Sequence, residues 1–421
     1  MLGADASVVI VGAGQAGFQA ASSLREGGYE GRLVLIGDES SLPYQRPPLS
    51  KAHLKGEPVD ADLCFRPDAF FADRRIELKA PDRAVAIDRA ARRVALASGA
   101  SVGYDHLVLA TGSRPRRPAW PGMDLKGVHL LRTIDDAREM RATLAAAKRV
   151  VIVGAGFIGL EVASTAGAAG AHVAIVEVAE RPLVRALSRQ MAQHLTKVHE
   201  GRGVEFHFGT SVAAIEGVQG RAVAVRTTDG RRLDADVVLV AIGVQANDEL
   251  AASAGLAVDN GIVVDAQLQT EDPHISAIGD CARYPSAHHP GPVRLESVQN
   301  AVDHGRTIAA RLTGHAAPYD KLPWFWSDQG DLRLQMCGLA LESDDAVLRG
   351  DPASGRFSVL RYRGEQLVAA ETVNQPAEHL MIRKIMAAGA PLPRAVAADA
   401  ATKLVPPAAA RAAAPSSTAS G

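Results

Sequence analysis

Residues 8–17 read VVIVGAGQAG, and residues 150–159 read VVIVGAGFIG; eight of the ten letters are identical. A chain that writes this phrase twice has few folds open to it. Each copy starts on a short β-branched apolar run, as a strand buried on both faces of a parallel sheet does. Three glycines follow, then an alanine-rich helical pattern, FQAASSLREG (18–27) in one copy and LEVASTAGAAG (160–170) in the other. A second apolar run closes each unit, RLVLIGD (32–38) and HVAIVEV (172–178). The order is strand, helix, strand, twice over.

The glycine spacing assigns a task to each glycine. Gly12 and Gly154 permit a tight turn at the strand end. Gly14 and Gly156 let backbone approach a pyrophosphate, and Gly17 and Gly159 let the helix lie close to its strand. The helix N-terminus then offers free N–H groups and a favourable dipole to an anion. Asp38 and Glu177 stand at the end of the second runs, where an acidic residue holds ribose hydroxyls. Glu177 would also repel a 2′-phosphate, which favours NADH over NADPH, although Arg181 and Arg185 stand nearby. Two such fingerprints suggest two dinucleotides. The economical pair is one FAD held as a prosthetic group and one NAD(P)H that visits it.

The remaining landmarks continue the α/β pattern. YDHLVLATG (104–112), DADVVLVAIG (234–243) and HISAIGDCA (274–282) read as further strands ending in small-residue turns. From residue 323 the character changes. PWFWSDQG holds two of the three tryptophans, and RFSVLRYR (356–363) and QLVAAETV (366–373) suggest antiparallel strands. The low-complexity end, residues 406–421, reads as a disordered tail. With 421 residues, two or three domains are expected.

Composition excludes several functions. The net charge of −1 argues against a general nucleic-acid binder. Cys64, Cys281 and Cys337 are widely spaced, with no pattern for a metal, a cluster or a redox disulfide. His288 and His289 lack further ligands at metal spacing, so no metal site is expected. The longest apolar runs, such as VVLVAIGV (237–244), are too short to cross a bilayer, and no basic leader precedes the first strand. A cytoplasmic protein is expected.

In combination, VVIVGAGQAG, LPYQRPPLSK (42–51), LVLATG, LLRT (130–133), VVIVGAGFIGLE, HISAIGDCA, RLESVQNA (294–301) and PWFWSDQ resemble the FAD-dependent ferredoxin reductases of the putidaredoxin reductase type. These serve bacterial oxygenases and are relatives of glutathione reductase. The resemblance implies two Rossmann-like dinucleotide-binding domains and a C-terminal α+β domain. The FAD-binding domain would be discontinuous, residues 1–112 and 246–322; residues 113–245 would bind NAD, and 323–405 would cover the flavin. Where many relatives have proline, this chain has Ala246.

Carried onto this chain, the resemblance places FAD against Gly12, Gly14, Ala16, Gly17, Asp38, Arg46, Lys51 and Ala84. Ala110, Thr111, Gly112, Arg132, Gly279, Asp280, Val298 and Trp326 complete that cradle. NADH would lie against Gly154, Gly156, Ile158, Gly159, Glu161, Glu177 and Gly243, with Glu296 as a nicotinamide-side contact. Lys51, Glu161 and Trp326 are the expected catalytic residues, and Trp324 reads as a packing residue. Lys51 would stabilise charge on the reduced ring, with Ser50 capping the helix that Lys51 begins. Glu161, in the first helical turn where copy one has Gln19, would partner Lys51. Trp326 would lie at the flavin edge.

The implied activity is NADH:ferredoxin oxidoreductase, passing electrons to a [2Fe–2S] ferredoxin and from it to a cytochrome P450 or other oxygenase. Rubredoxin, a dioxygenase partner, or an apoptosis-inducing-factor-like role are the alternatives. Such ferredoxins are acidic, so a basic face is expected, with Arg66 and Arg306 its candidates. No membrane partner or nucleic acid is expected.

Overall fold

The computed structural model describes residues 3, 5–57 and 59–405. The expected tail, 406–421, lies outside them. Each copy of the duplicated phrase builds the centre of its own five-stranded parallel sheet. The first sheet has the order Ile275–Ala277, His106–Leu109, Val8–Val11, Leu33–Ile36, Ile76–Lys79. The second has the order Val204–Phe208, His172–Glu177, Arg149–Val153, Val237–Val240, Val128–His129.

Registers match between the copies. Val8 lies opposite Leu33 and His106, as Val150 lies opposite Val173 and Val237. The four residues of Val8–Val11 and of Val150–Val153 are all buried, which is why these runs are apolar throughout rather than alternating. Chain order reverses across each central strand, so a crevice opens at its carboxyl end, where α/β folds bind ligands.

A third sheet is antiparallel, with the order Trp324–Gln329, Leu332–Gly338, Gln366–Val373, Arg356–Arg363, Asp345–Asp351. The two alternating segments flagged by sequence are its fourth and third strands. The helices Pro376–Ala387 and Arg394–Ala398 complete this α+β region.

Between the first and second sheets the chain passes twice, through Ser113–Pro115 and Val244–Ala246. These two passages pair antiparallel, with Ala246 opposite Ser113. Ala246 is therefore a buried strand residue rather than a bare linker.

The helix Gln15–Glu26, which follows the first glycine turn, is held from outside by the helix Val298–Leu312. Gly305 makes this close packing possible. A Cβ there would lie 2.9 Å from both the Ala20 nitrogen and Gln19 Cβ. Gly305→Val should therefore force the helices apart and destabilise the protein by about 1–3 kcal/mol, the usual cost of overpacking. A thermal melt equal to that of the wild type would contradict this packing account.

Candidate functional site

The glycine loops are nearly superimposable in their steric logic. A Cβ on Gly12 would lie 2.0 Å from the Ala110 carbonyl oxygen, and one on Gly154 2.4 Å from that of Ala241. A Cβ on Gly17 would lie 1.9 Å from the Gly12 oxygen, and one on Gly159 2.1 Å from that of Gly154. These four glycines are fixed by the protein's own backbone. Gly12 and Gly154 also hold φ of +114° and +106°, a region L side chains rarely adopt. The middle glycines differ. Among the described residues nothing stands within 4 Å of a Cβ on Gly14, and on Gly156 only one atom does, at 4.0 Å. That open space is what a phosphate approaching backbone requires.

Beside the first loop lies a cavity of about 570 Å³. Val11, Gly12, Gly37, Asp38, Ala84 and Thr111 line it, together with Arg83, Arg114, Asn247 and Glu249. Asp38 is exposed at its rim. Thr111 is fixed by a two-way exchange: its hydroxyl donates to the Asn247 carbonyl at 2.6 Å, and the Asn247 amide donates back to the Thr111 carbonyl at 2.8 Å. Ala110 is buried behind Gly12, and Gly112 turns at φ +69° beside the Arg132 guanidinium.

Further along the crevice, charged groups form a chain. Arg46 pairs with Glu39 at 2.5 Å, and Tyr44 donates to the same carboxylate at 2.6 Å. Arg46 also donates to the Arg132 carbonyl at 2.7 Å, and Arg132 pairs with Asp280 at 3.3 Å. The Ser113 hydroxyl donates to Asp280 at 2.9 Å. Arg294 donates to the Asp280 carbonyl at 3.0 Å and pairs with Glu296 at 2.7 Å. Arg46, Arg132, Asp280 and Glu296, scattered in sequence, are thus linked into one network.

Ala16 abuts the Gly279–Asp280 turn: a Cβ on Gly279 would come within 2.8 Å of Ala16 Cβ. That turn is anchored from beneath. The Gly279 N–H donates to Nδ1 of His304 at 3.1 Å, and complete burial pushes the His304 pKa down to about 3, so the ring stays neutral and accepting. Val298 begins the helix capped by Ser297, whose hydroxyl accepts from Asn300 N–H.

Lys51 and Glu161 meet. Lys51 Nζ stands 2.7 Å from Glu161 Oε2 and donates to the Pro47 carbonyl at 3.1 Å. Two expectations need correction. Ser50 does not cap a helix. It ends the short 3₁₀ turn Pro47–Ser50, and its buried hydroxyl donates to Glu161 Oε2 at 2.5 Å. Glu161 is not in the first turn of its helix, Phe157–Ala168, but begins the second. Its charge is therefore met by Lys51, Ser50 and the Ser327 hydroxyl, which donates to Oε1 at 2.6 Å, more than by the helix dipole. Trp326 is half-buried and stacks on Trp324 with ring centres 5.6 Å apart. Trp324 in turn lies under the Arg383 guanidinium at 4.2 Å.

Comparison with known proteins decides the family. Residues 6–305 match the profile of the pyridine nucleotide-disulphide oxidoreductases, and residues 324–406 match that of the reductase C-terminal domain. The chain belongs to the pyridine nucleotide-disulphide oxidoreductase family. It is 49% identical over 393 residues to rhodocoxin reductase of Rhodococcus erythropolis, covering 93% of this chain and 92% of that one. It is 42% identical over 390 residues to putidaredoxin reductase of Pseudomonas putida, covering 91% and 92%. Among solved structures, the ferredoxin reductase for the CYP199A2 system of Rhodopseudomonas palustris superposes with a TM-score of 0.93 at 47% identity, over 95% of this chain and 99% of that one.

As a member of this family the chain is a flavoprotein oxidoreductase, and FAD and NAD(H) are its cofactors. Its residues fit them. Two glycine loops present open backbone, and an exposed carboxylate lines the cavity beside the first. In the second unit Glu177 accepts from Ala155 N–H at 2.7 Å and Ala179 N–H at 2.8 Å, which fixes the carboxylate at the strand end. Arg181 is buried and donates to the Leu187 and Val184 carbonyls, while Arg185 is exposed. Ile158 is exposed at the helix start, and Gly243 turns at φ +92° with open space beside it.

His288 and His289 bond to the carbonyls of Asp320 and Gly291. Among the described residues no cluster of three metal-ligating side chains occurs, and no helix is long and apolar enough to cross a membrane. Sequence reasoning missed Ser327, Asn247, His304 and Tyr44. The inward position of a small polar residue in an aromatic strand was the available signal for Ser327.

The glycine contacts generate a paired prediction. Gly156→Val should leave the fold intact, because its side chain enters open space. It should weaken NADH binding at least tenfold, about the loss of one charge-assisted hydrogen bond (roughly 1.5–3 kcal/mol). Gly154→Ala, driven into the Ala241 carbonyl, should instead lower the melting temperature. Equal behaviour of the two variants in NADH titration and thermal melting would refute the division of labour.

Proposed function

We propose that this chain is an NADH:ferredoxin oxidoreductase. It holds FAD at the first glycine unit and receives NADH at the second. It delivers single electrons to a small [2Fe–2S] ferredoxin that feeds a cytochrome P450 or another oxygenase in the cytoplasm. The observation that carries this reading is the Lys51–Glu161 pair, because it joins a segment following the first unit to the helix of the second. Bound FAD supplies the conversion from two-electron donor to one-electron acceptor.

The protein's own groups have separable tasks. Gly14 and the start of the helix Gln15–Glu26 receive the FAD pyrophosphate, and Asp38 the adenosine ribose. Arg46, Arg132 and Asp280 hold one another along the crevice towards the ring. Lys51 is four-fifths buried and fixed by Glu161 and the Pro47 carbonyl. A cation held in place beforehand stabilises developing negative charge without reorganisation. Glu177, fixed by two backbone N–H groups, favours the 2′-hydroxyl of NADH. The Arg181 charge is turned inward onto carbonyls and does not offset it.

Arg66 and Arg306 are proposed as the ferredoxin-facing charges. Both are exposed, and they leave elements that pack on adjacent residues of one helix. Phe65 stacks on Phe18 at 4.7 Å, while Gly305 packs on Gln19. Arg66 and Arg74 each lie 5.7 Å from the Phe70 ring. The ferredoxin partner is supported by the relatives named above and by a solved putidaredoxin reductase–putidaredoxin complex, 40% identical with a TM-score of 0.93 over 96% of this chain and 98% of that one.

The purified protein should carry a flavin spectrum, bleach anaerobically with NADH and recover on addition of ferredoxin. A colourless, cofactor-free protein would end this reading. Lys51→Met should slow the NADH-driven bleaching about 100-fold, the typical loss when one preorganised electrostatic group is removed. Reversing both Arg66 and Arg306 to glutamate should raise KM for ferredoxin while ferricyanide turnover persists. If both activities fall together, the docking role is wrong.

A further inference from the structure

Glu161 stands at the end of a buried hydrogen-bond chain that continues far beyond Lys51. Its Oε2 accepts from Ser50 and faces Lys51, while Oε1 accepts from Ser327 at 2.6 Å. The Ser327 hydroxyl in turn accepts from Gln329 Nε2 at 3.2 Å. Gln329 Oε1 faces His199 Nε2 at 2.8 Å. An amide oxygen only accepts, so His199 Nε2 carries the proton and donates. Among the described residues His199 Nδ1 is buried without a partner, and burial above all pushes this imidazole below its ordinary pKa, which keeps it neutral.

Every link therefore donates in one direction, from His199 through Gln329 and Ser327 to the carboxylate. Aligned hydrogen bonds polarise one another in a low-dielectric interior. His199, Gln329 and Ser327 are fully buried, and Glu161 is 3% exposed. The alternation of the strand Trp324–Gln329 places Ser327 and Gln329 on one face, inward. The strand that carries two of its links is clamped where Arg202 donates to the Gln329 backbone carbonyl at 2.8 Å.

We propose that Ser327, Gln329 and His199 are positioning residues for the reduction by NADH. They hold Glu161 in one rotamer, Oε1 occupied, so that Oε2 is left for Lys51 and Ser50. This proposal rests on the role given above to the Lys51–Glu161 pair. Without the Ser327 donor, the carboxylate can turn within its pocket and Lys51 loses its fixed partner.

The test uses the FAD-loaded enzyme with ¹⁵N-labelled histidine, the His199 signals being assigned with His199→Asn. Glu161→Gln and Ser327→Ala should each move the His199 Nε2 resonance, although neither residue touches that ring. In stopped flow, Ser327→Ala should slow flavin reduction about tenfold, the effect of one hydrogen bond to a charged group. The apparent Kd for NADH should stay within about twofold of wild type, well under the 1.4 kcal/mol that a tenfold change represents. Gln329→Met should show the same split, less strongly. It decides the question should Ser327→Ala fail to retain FAD.

If Glu161→Gln slows reduction while Ser327→Ala and Gln329→Met behave as wild type and the His199 signals stay put, the positioning chain is overturned. If Glu161→Gln itself reduces at the wild-type rate, the reading of the Lys51–Glu161 pair fails, and the positioning chain with it.

Discussion

Both dinucleotide units depend on the absence of a methyl group where a carbonyl oxygen already stands. With the Gly12 oxygen 1.9 Å from where a Gly17 Cβ would be, helix and strand approach as closely as backbone allows. The same contact recurs between Gly154 and Gly159. From this approach follow the direction of each helix, the aim of its N-terminal N–H groups and the crevice beside the central strand. Only after the outer glycines have locked the turn does the middle one remain free for a ligand.

The copies diverge through what covers them. The pair that distinguishes the two phrases meets different surroundings: Ala16 is small beside Gly279, where its counterpart Ile158 is exposed, and Phe157 packs on Phe325 of the antiparallel sheet at 4.6 Å. One helical turn on, Gln19 lies under Gly305 and donates to Ser23 at 2.9 Å, while Glu161 faces Lys51 and Ser327. One unit is closed by a helix and the other by a strand that brings the Ser327 hydroxyl. The difference in chemistry is thus a difference in partner element.

These features explain what the sequence could and could not reveal. The βαβ units were legible because period, glycine spacing and terminal acid all report local structure. Strands such as Arg356–Arg363 and Gln366–Val373 were legible to the residue from β-branched and aromatic content between turn residues, although both are buried along most of their length rather than on one face. The Lys51–Glu161 pair was accessible through the contrast with Gln19. Ser50 misled because a serine before a short helix has the local signature of a cap, and only the fold shows a carboxylate competing for its hydroxyl. Gln329 and His199 were silent for a similar reason, and the inward position of Ser327 showed a face but not the carboxylate it meets. Their bonds join three elements distant in sequence, and no local pattern encodes such a meeting.

The paired passages Ser113–Pro115 and Val244–Ala246 carry a consequence for how such a chain is put together. Asn247 N–H donates to the Gly112 carbonyl at 3.0 Å, and Arg116 N–H to the Gly243 carbonyl at 2.9 Å. The second unit thus leaves and re-enters the first at neighbouring backbone positions. To the host sheet the whole insertion has the footprint of a hairpin loop, and loop-closure entropy grows only slowly with the residues enclosed. A segment of this length can therefore stand between two strands of the first sheet without disturbing their register.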